Sequence, residues 1–377
     1  MDTTLPAPAP RQSLYETEAE QRSRLRKKKL RNILQSTASH ILIIAVGLFF
    51  LVPFIWMLVT AFKSDQDVFH SPPRWLPYDN VRVEVNGEQL PLYEVKTEDG
   101  VKELAMIKID EGIGQFVDPQ NPGQIKQYDI QQGRERIAEP IMHVSFRWQN
   151  FPEAMKRGSR PGVGASFWVY FKNSLIIAIV SIIGTLVSNT PVAYAFARIK
   201  FPGREALFIF VLATMMLPFQ VTMIPMYKLF NDYLGWGDTF LPLLVPTFFA
   251  NAFDVFLLRQ FFRTIPEEMC DAARVDGASE WQVFTRIVLP LSTPVLATIT
   301  VFTFVWAWND FTGPLLFLNS PRNFTMALGL QDFQGQHTMI WNQMMAAATV
   351  FTIPIIIAFF FAQKTFIQGI KMTGLKE

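Results

Sequence analysis

Cysteine is almost missing: there is one in 377 residues. That excludes a disulfide framework and any multi-cysteine metal centre. Histidine is nearly as scarce, with four scattered residues and no H-E-x-x-H, so the chain lacks the paired spacing of a catalytic metal site. No G-x-x-x-x-G-K-[ST] occurs, so ATP is not bound here through a P-loop. Charged residues are 18% of the chain and the net charge is +2, too small to draw in a nucleic-acid backbone. What is abundant is apolar surface: 50% hydrophobic residues and 35 Phe, with mean hydropathy +0.20. That composition belongs to a polytopic membrane protein.

Six apolar stretches are long enough to span a bilayer, near 40–62, 172–195, 205–226, 239–262, 291–318 and 343–363. A span needs about 20 such residues. The first follows a charged lead, residues 1–37, and no small-x-small site follows it, which excludes a cleavable signal peptide. Arg22, Arg24, Arg26, Lys27, Lys28, Lys29 and Arg31 precede this first helix (38–63). Positive residues flanking spans prefer the cytoplasm. Alternation then places Arg198, Lys200, Arg204, Arg259, Arg263, Arg274 and Arg286 inside as well, with both termini cytoplasmic.

Residues 64–166 form a long segment on the outer side. After Pro72, Pro73 and Pro77 it turns strand-like over about 79–143. Val81, Val83 and Val85 alternate with Arg82 and Glu84, and Asn86-Gly87 is a hairpin signal. Further strands are expected at Leu92–Lys96, Val101–Ile109, Gln127–Ile130 and Ile141–Trp148, with a turn at Glu98-Asp99-Gly100. The expected fold is all-α and polytopic, six transmembrane helices with a small extracytoplasmic antiparallel β insertion. Residues 167–377 hold five of the spans. Prolines 53, 191, 218, 225, 242, 246 and 354 fall in the apolar stretches, where each removes a backbone donor and bends a helix.

The polar loop 265–290 lies between two apolar stretches. Thr264, Pro266 and Glu267 predict a capping box opening one helix. Gly277 sits where a helix end takes a left-handed residue. Ser279 and Gln282 predict a second capping box, and Trp281, Phe284, Ile287 and Val288 then share one face until Pro290. Ala272 and Ala273 allow another surface to approach closely. Two short helices joined rigidly at a glycine turn could transmit a force.

The pattern Asp271-Ala272-Ala273, three residues, Gly277, nine residues, Ile287-x-Leu289-Pro290 resembles the E-A-A…G…I-x-L-P loop of permease subunits of bacterial ABC importers. Asp271 for Glu is the one departure. FLVPFIWMLVTAFKS (50–64), PPRWLP (72–77), AYAFARIKFPG (193–203), AFDVFLLRQFF (252–262) and WNDF (308–311) are similar to the carbohydrate-uptake, MalG-like branch. The resemblance implies a MetI-like permease core in the bacterial inner membrane, next to membrane lipid and with no nucleic-acid partner. It implies a MalF-like sister permease, an extracytoplasmic solute-binding protein and two copies of an ABC ATPase. No cofactor would be bound directly, ATP and Mg being held by those ATPase subunits. Glu268, Asp271, Ala272, Ala273, Asp276, Gly277, Ile287, Leu289 and Pro290 would form the ATPase-coupling loop. The cargo would be a mono- or oligosaccharide, with a polyol or glycerol phosphate as the alternative within the class. Outside it stand an ion-driven secondary transporter, for which no internal repeat is seen, and a receptor whose β domain binds.

Polar groups inside spans are costly and mark pathways. Gln220, Asn251, Asp254, Asn309 and Asp310 are candidates for a translocation path, though interhelical packing, or for Asp254 a pairing with Arg259, remains an alternative. Cys270 reads as a bystander. The tail from Lys371 to Glu377 resembles one that reaches toward the ATPase.

Overall fold

The computed structural model describes residues 18–97, 100–110, 112–132, 135–156, 165–333 and 340–374. The start of the charged lead, the Glu98-Asp99 turn and the last three residues of the tail lie outside them. The chain divides into two units, up to Trp56 and from Met57 onward. Among its described residues the first unit is one helix, α1 (Glu18–Ala61), which ends in the second unit. Its apolar part exposes Ile43, Phe49 and Phe50 alike; a helix apolar all round needs a non-aqueous surrounding.

In the second unit the long helices are α2 (Phe167–Arg198) and α9 (Trp341–Gly374). Among the described residues four helical stretches are long and apolar enough to cross a membrane. Two further stretches are bent pairs. α3 (Arg204–Thr214) and α4 (Phe219–Tyr227, continued to Tyr233) meet at 87°. The helix ending at Leu291 and α8 (Thr293–Asn309) meet at 77°. Pro218 lacks an amide donor and disfavours the α conformation at Leu217, which sets the first break.

The stretch 239–262 is likewise not one even helix. A short turn at Leu241–Leu244 passes into 3₁₀ geometry at Val245–Phe248, and Phe249–Asn251 is non-helical. α5 (Ala252–Thr264) then begins afresh. The stretch 291–318 also breaks, at Asp310, before a short helix at Thr312–Phe317.

Two apolar clusters hold this unit together. One joins the C-terminal half of α2 to α3, α5 and the polar loop. The other joins the N-terminal half of α2 to α8 and α9. Trp308 is fully buried there; its indole donates to Phe351 O at 3.0 Å and stacks on the Phe304 ring. Asp238 (φ 56) clasps two loops, accepting from the amides of Asn319 (2.9 Å) and Ser320 (2.8 Å). Partial burial opposes its ionisation, but the Ser320 and Asn319 hydrogen bonds prevail and hold the carboxyl down at about 2.

Between α1 and α2 the described residues form ten strands; Gln131–Gln132 pairs with Glu135–Arg136, and the other eight build a neck and a sheet. β1 (Tyr78–Asn80) and β8 (Met142–Val144) pair antiparallel as a neck. β2 (Arg82–Val85), β3 (Glu88–Thr97), β4 (Gly100–Asp110), β5 (Ile113–Asp118) and β6 (Asn121–Asp129) form a meander, and β7 (Ala138–Pro140) also pairs with β3. Asn86 (φ 53) and Gly87 (φ 84) make the left-handed turn between β2 and β3 that an Asn-Gly hairpin adopts. Val95, Leu104 and Phe116 fill one face of the sheet, Val85, Ala105 and Val117 the other. Leu92–Lys96 and Val101–Ile109 lie within β3 and β4, whereas β5 was not foreseen.

Candidate functional site

The polar loop begins where α5 ends. The expected capping box at Thr264 does not form: Thr264 is still helical, and its hydroxyl donates to Phe261 O at 2.7 Å. Pro266 forces Ile265 out of the α region (φ −71, ψ 128), so the break falls one residue later. α6 (Glu267–Val275) opens without a side-chain cap, and Glu267 and Glu268 lie in its first turn, where the helix dipole favours acids.

α6 closes as a Schellman motif. Gly277 N–H donates to Arg274 O at 3.0 Å and Ala278 N–H to Ala273 O at 2.9 Å, with Gly277 at φ +84. This two-bond pattern uses the orphan carbonyls of the last turn. A Cβ on Gly277 would meet nothing within 4 Å. Glycine is therefore required there by the backbone angle and not by crowding within this chain.

The second helix, α7 (Glu280–Val283), has the complete Ser279–Gln282 capping box: Ser279 N–H donates to Gln282 Oε1 (2.8 Å) and Gln282 N–H to Ser279 Oγ (3.3 Å). It runs on through a π turn (Phe284–Val288), in which Leu289 N–H reaches back to Phe284 O. Pro290 does not end it. The wider turn accommodates the proline, and the break comes at Ser292. Phe284 and Val288 are buried and Ile287 and Leu289 half-buried, whereas Trp281 is exposed and tilted against the Phe284 ring at 5.3 Å. Cys270 is no bystander in packing: it is fully buried in the cluster of Phe262, Ile265, Val283 and Phe284.

Glu268, Asp271, Ala272, Asp276, Gly277 and Pro290 are exposed, and Ala273 is half-buried. Beside them stands a cluster that sequence reading missed. Arg274 donates through Nε to Glu280 Oε1 (2.7 Å), through Nη2 to Glu280 Oε2 (3.3 Å) and through Nη1 to Asp271 Oδ1 (2.7 Å). The Tyr194 hydroxyl of α2 donates to Glu280 Oε2 at 2.7 Å. Hydrogen bonds from Arg274 and Tyr194 hold the Glu280 carboxyl below its usual range, and the bond to Glu280 pushes the Arg274 guanidinium up. An Arg and a Glu six residues apart across a glycine turn is a signal local enough to find; Tyr194, 86 positions from Glu280 in sequence, is not.

The second region is a cavity of about 810 Å³. Three of the five path candidates line it: Asn251, Asp254 and Asp310. Gln220 and Asn309 are not among its lining residues; the Asn309 amide donates to Val305 O at 2.8 Å within its own helix. Asn251 caps α5. Its side-chain oxygen accepts from Asp254 N–H at 2.9 Å, its own N–H donates to Asn189 Oδ1 at 2.8 Å, and its amide donates to the Asp254 carboxylate. Asp254 thus sits in a first turn beside a break. The Arg259 pairing does not occur: Arg259 is drawn to both Glu205 oxygens (3.0 and 2.9 Å) and lies 4.0 Å from the Phe208 centroid.

Asp310 accepts from Gly313 N–H at 3.0 Å at the other break. The Ser181 hydroxyl of α2 also lines the cavity, buried and without a hydrogen-bond partner. Trp306 and Phe302 add aromatic faces. Among the described lining residues there is no Lys or Arg.

Apolar helices interrupted around a polar-edged cavity, with a rigid two-helix loop beside them, define a membrane transport subunit. The family described as binding-protein-dependent transport system inner membrane component matches residues 189–372. The chain is 34% identical over 210 residues to the arabinooligosaccharides transport system permease protein AraQ of Halalkalibacterium halodurans, covering 56% of this chain and 75% of that one. It is 36% identical over 237 residues to the sn-glycerol-3-phosphate transport system permease protein UgpE of Rhizobium meliloti, covering 62% and 83%. It is 32% identical over 240 residues to the osmoprotective compounds uptake permease protein GgtD of Synechocystis, covering 63% and 78%. The crystal structure of a bacterial ABC transporter involved in import of the acidic polysaccharide alginate shares the fold, with TM-score 0.59 at 19% identity, covering 90% of this chain and 97% of that one. The protein belongs to the family of binding-protein-dependent ABC transporter permeases.

Proposed function

We propose that this chain is the membrane subunit of a carbohydrate importer in the bacterial inner membrane, driven by separate ATPase subunits. Loop 265–290 is its docking knob. Two ATPase copies hold ATP and Mg and sit beneath this chain and a MalF-like sister permease. The chain crosses the membrane six times, each bent pair counting as one span, with both termini cytoplasmic and the sheet 78–144 outside. A solute-binding protein delivers cargo to the outward-facing state. ATPase closure moves the loops and reorients the helices, a two-state change that coupled binding requires to be reciprocal.

The observation that carries this reading is the loop itself. The spacing from Asp271 to Pro290 falls on two helices locked by a Schellman turn and a capping box, with the small and acidic positions exposed. The cavity supports a neutral polyhydroxylated cargo over glycerol phosphate. Its lining offers an unpartnered hydroxyl, amide and carboxylate acceptors and aromatic rings, and no described cation to balance a phosphate. An unpaired buried anion beside Asp254 and Asp310 would be strongly disfavoured.

Purification from native membranes in mild detergent should recover a P-loop ATPase and a second permease. The reconstituted assembly should hydrolyse ATP faster with a sugar-loaded binding protein. Recovery of this chain alone, in several detergents, would overturn the proposal.

A further inference from the structure

Glu280 is a node where three chain segments meet. It heads α7, grips Arg274 of α6 with both oxygens, and accepts from Tyr194 of α2. Tyr194 is buried and its ring lies 5.0 Å from Phe284. One turn further along α2, Arg198 donates to Phe262 O at 2.6 Å and to Ile265 O. The end of α2 therefore holds the loop at its entry and at its turn. The same helix carries Ser181 and Thr185 on the cavity wall.

A helix is stiff along its axis, so a shift imposed on the loop reaches the cavity through whichever bonds tie the loop to α2. Apolar contacts around Phe284 can slide; a carboxylate held by a guanidinium fork and a phenol has directional bonds that resist rotation and shear. We infer that Tyr194, Glu280 and Arg274 form the joint through which movement of the docking loop is passed into α2, and so into the cavity. This rests on the loop being the ATPase-docking site. Its members are positioning residues, acting through α2 and not by touching cargo. Arg274 also restrains Asp271 through Nη1. A cation arriving from a partner at Asp271 would leave Arg274 wholly to Glu280, tightening the joint as docking occurs.

The test needs no knowledge of the cargo. Cys270 is fully buried, so a Thr185→Cys reporter on α2 can be followed with a small maleimide in the complex purified from membranes. The probe is a non-hydrolysable magnesium–ATP analogue. In the parent complex the analogue should change the labelling rate at position 185 by about fivefold or more. Tyr194→Phe keeps the ring and removes the hydroxyl; Glu280→Gln keeps the shape and removes the charge. Each should reduce the analogue's effect to below about twofold while the ATPase still co-purifies.

A purely structural role would leave the nucleotide effect unchanged in every variant that assembles. Full retention in both variants overturns the joint. So does loss of the ATPase in Glu280→Gln with a full effect in Tyr194→Phe, since Glu280 would then serve docking alone. A parent complex without any ATPase overturns the docking reading itself, and the joint with it.

Discussion

The loop and the cavity are both built where helices break, yet they break for different reasons. In the loop the causes are local: Pro266 sets one break, Gly277 at φ +84 the next, and the Ser279–Gln282 box starts the following helix. In the cavity the causes are distributed. Asn251 caps α5 while its own N–H reaches Asn189 on α2, and Asp310 closes α8 while the wall behind is held by Trp308 against α9. A local device can keep its shape while being pushed as a rigid body; a cavity assembled from several helices changes shape when any of them moves. That division suits a transporter in which one region receives force and the other responds to it.

The comparison can be broken by perturbing one region and reading the other. The largest effect is expected from Trp308→Ala, which removes a fully buried aromatic and its hydrogen bond and should cost about 3–5 kcal/mol. Thermal unfolding of the detergent-solubilised protein should shift down, and the cavity should become more accessible to a Thr185→Cys label. The loop should still capture its ATPase; loss of capture would mean that the two regions are not separable.

Next comes Gly277→Val. A β-branched residue at φ +84 should cost about 2 kcal/mol, a factor of about 30 in the population of the left-handed turn. ATPase recovery should fall while the unfolding temperature changes little. Normal recovery would show that the left-handed turn is dispensable.

Asp254→Asn leaves the Asn251 cap in place but removes a cavity charge, and sugar uptake should drop by about tenfold, ~1.4 kcal/mol, with ATPase recovery unchanged. Unaltered uptake would take Asp254 off the path.

The smallest effect belongs to the Asp238 clasp. Asp238, with its carboxyl at about 2, contributes stability that is present above its unfolded value near 3.8 and lost as pH falls from there toward 2. Acidification to pH 5 should leave it intact, and Asp238→Asn should reduce the loss of stability between pH 3.8 and 2, leaving the share that belongs to Glu280. An unchanged acid profile in the variant would exclude the clasp as its cause.

This division also governs how much was legible in the sequence. The Ser279–Gln282 box and the glycine turn were readable because every atom involved lies within a few residues. Thr264 was misread because the constraint Pro266 places on Ile265 outweighs a good capping residue. Pro290 was misread as a stop because a π turn can absorb it. The pairing of Asp254 with Arg259 spans five positions of α5, whereas neighbours on a helix face are three or four apart. It fails because α5 starts at Ala252, which turns Asp254 to the cap, while Glu205, 54 positions away, claims Arg259. Strand β5 escaped notice because Gly114 interrupts its pattern; the side-chain-free position there is covered by the Phe116 ring. The joint at Glu280 depends on Tyr194 from another helix, and no local pattern carries that.

Site-directed cross-linking tests the central claim most directly. Val275 is 87% exposed on the loop, and the native Cys270 is fully buried, so Val275→Cys supplies one reactive thiol at the proposed docking face. In native membranes a short cysteine-to-lysine cross-linker should join it to a P-loop ATPase, with a yield that changes when magnesium–ATP is added. An assembled, transport-competent protein whose position 275 never cross-links to an ATPase would contradict the account.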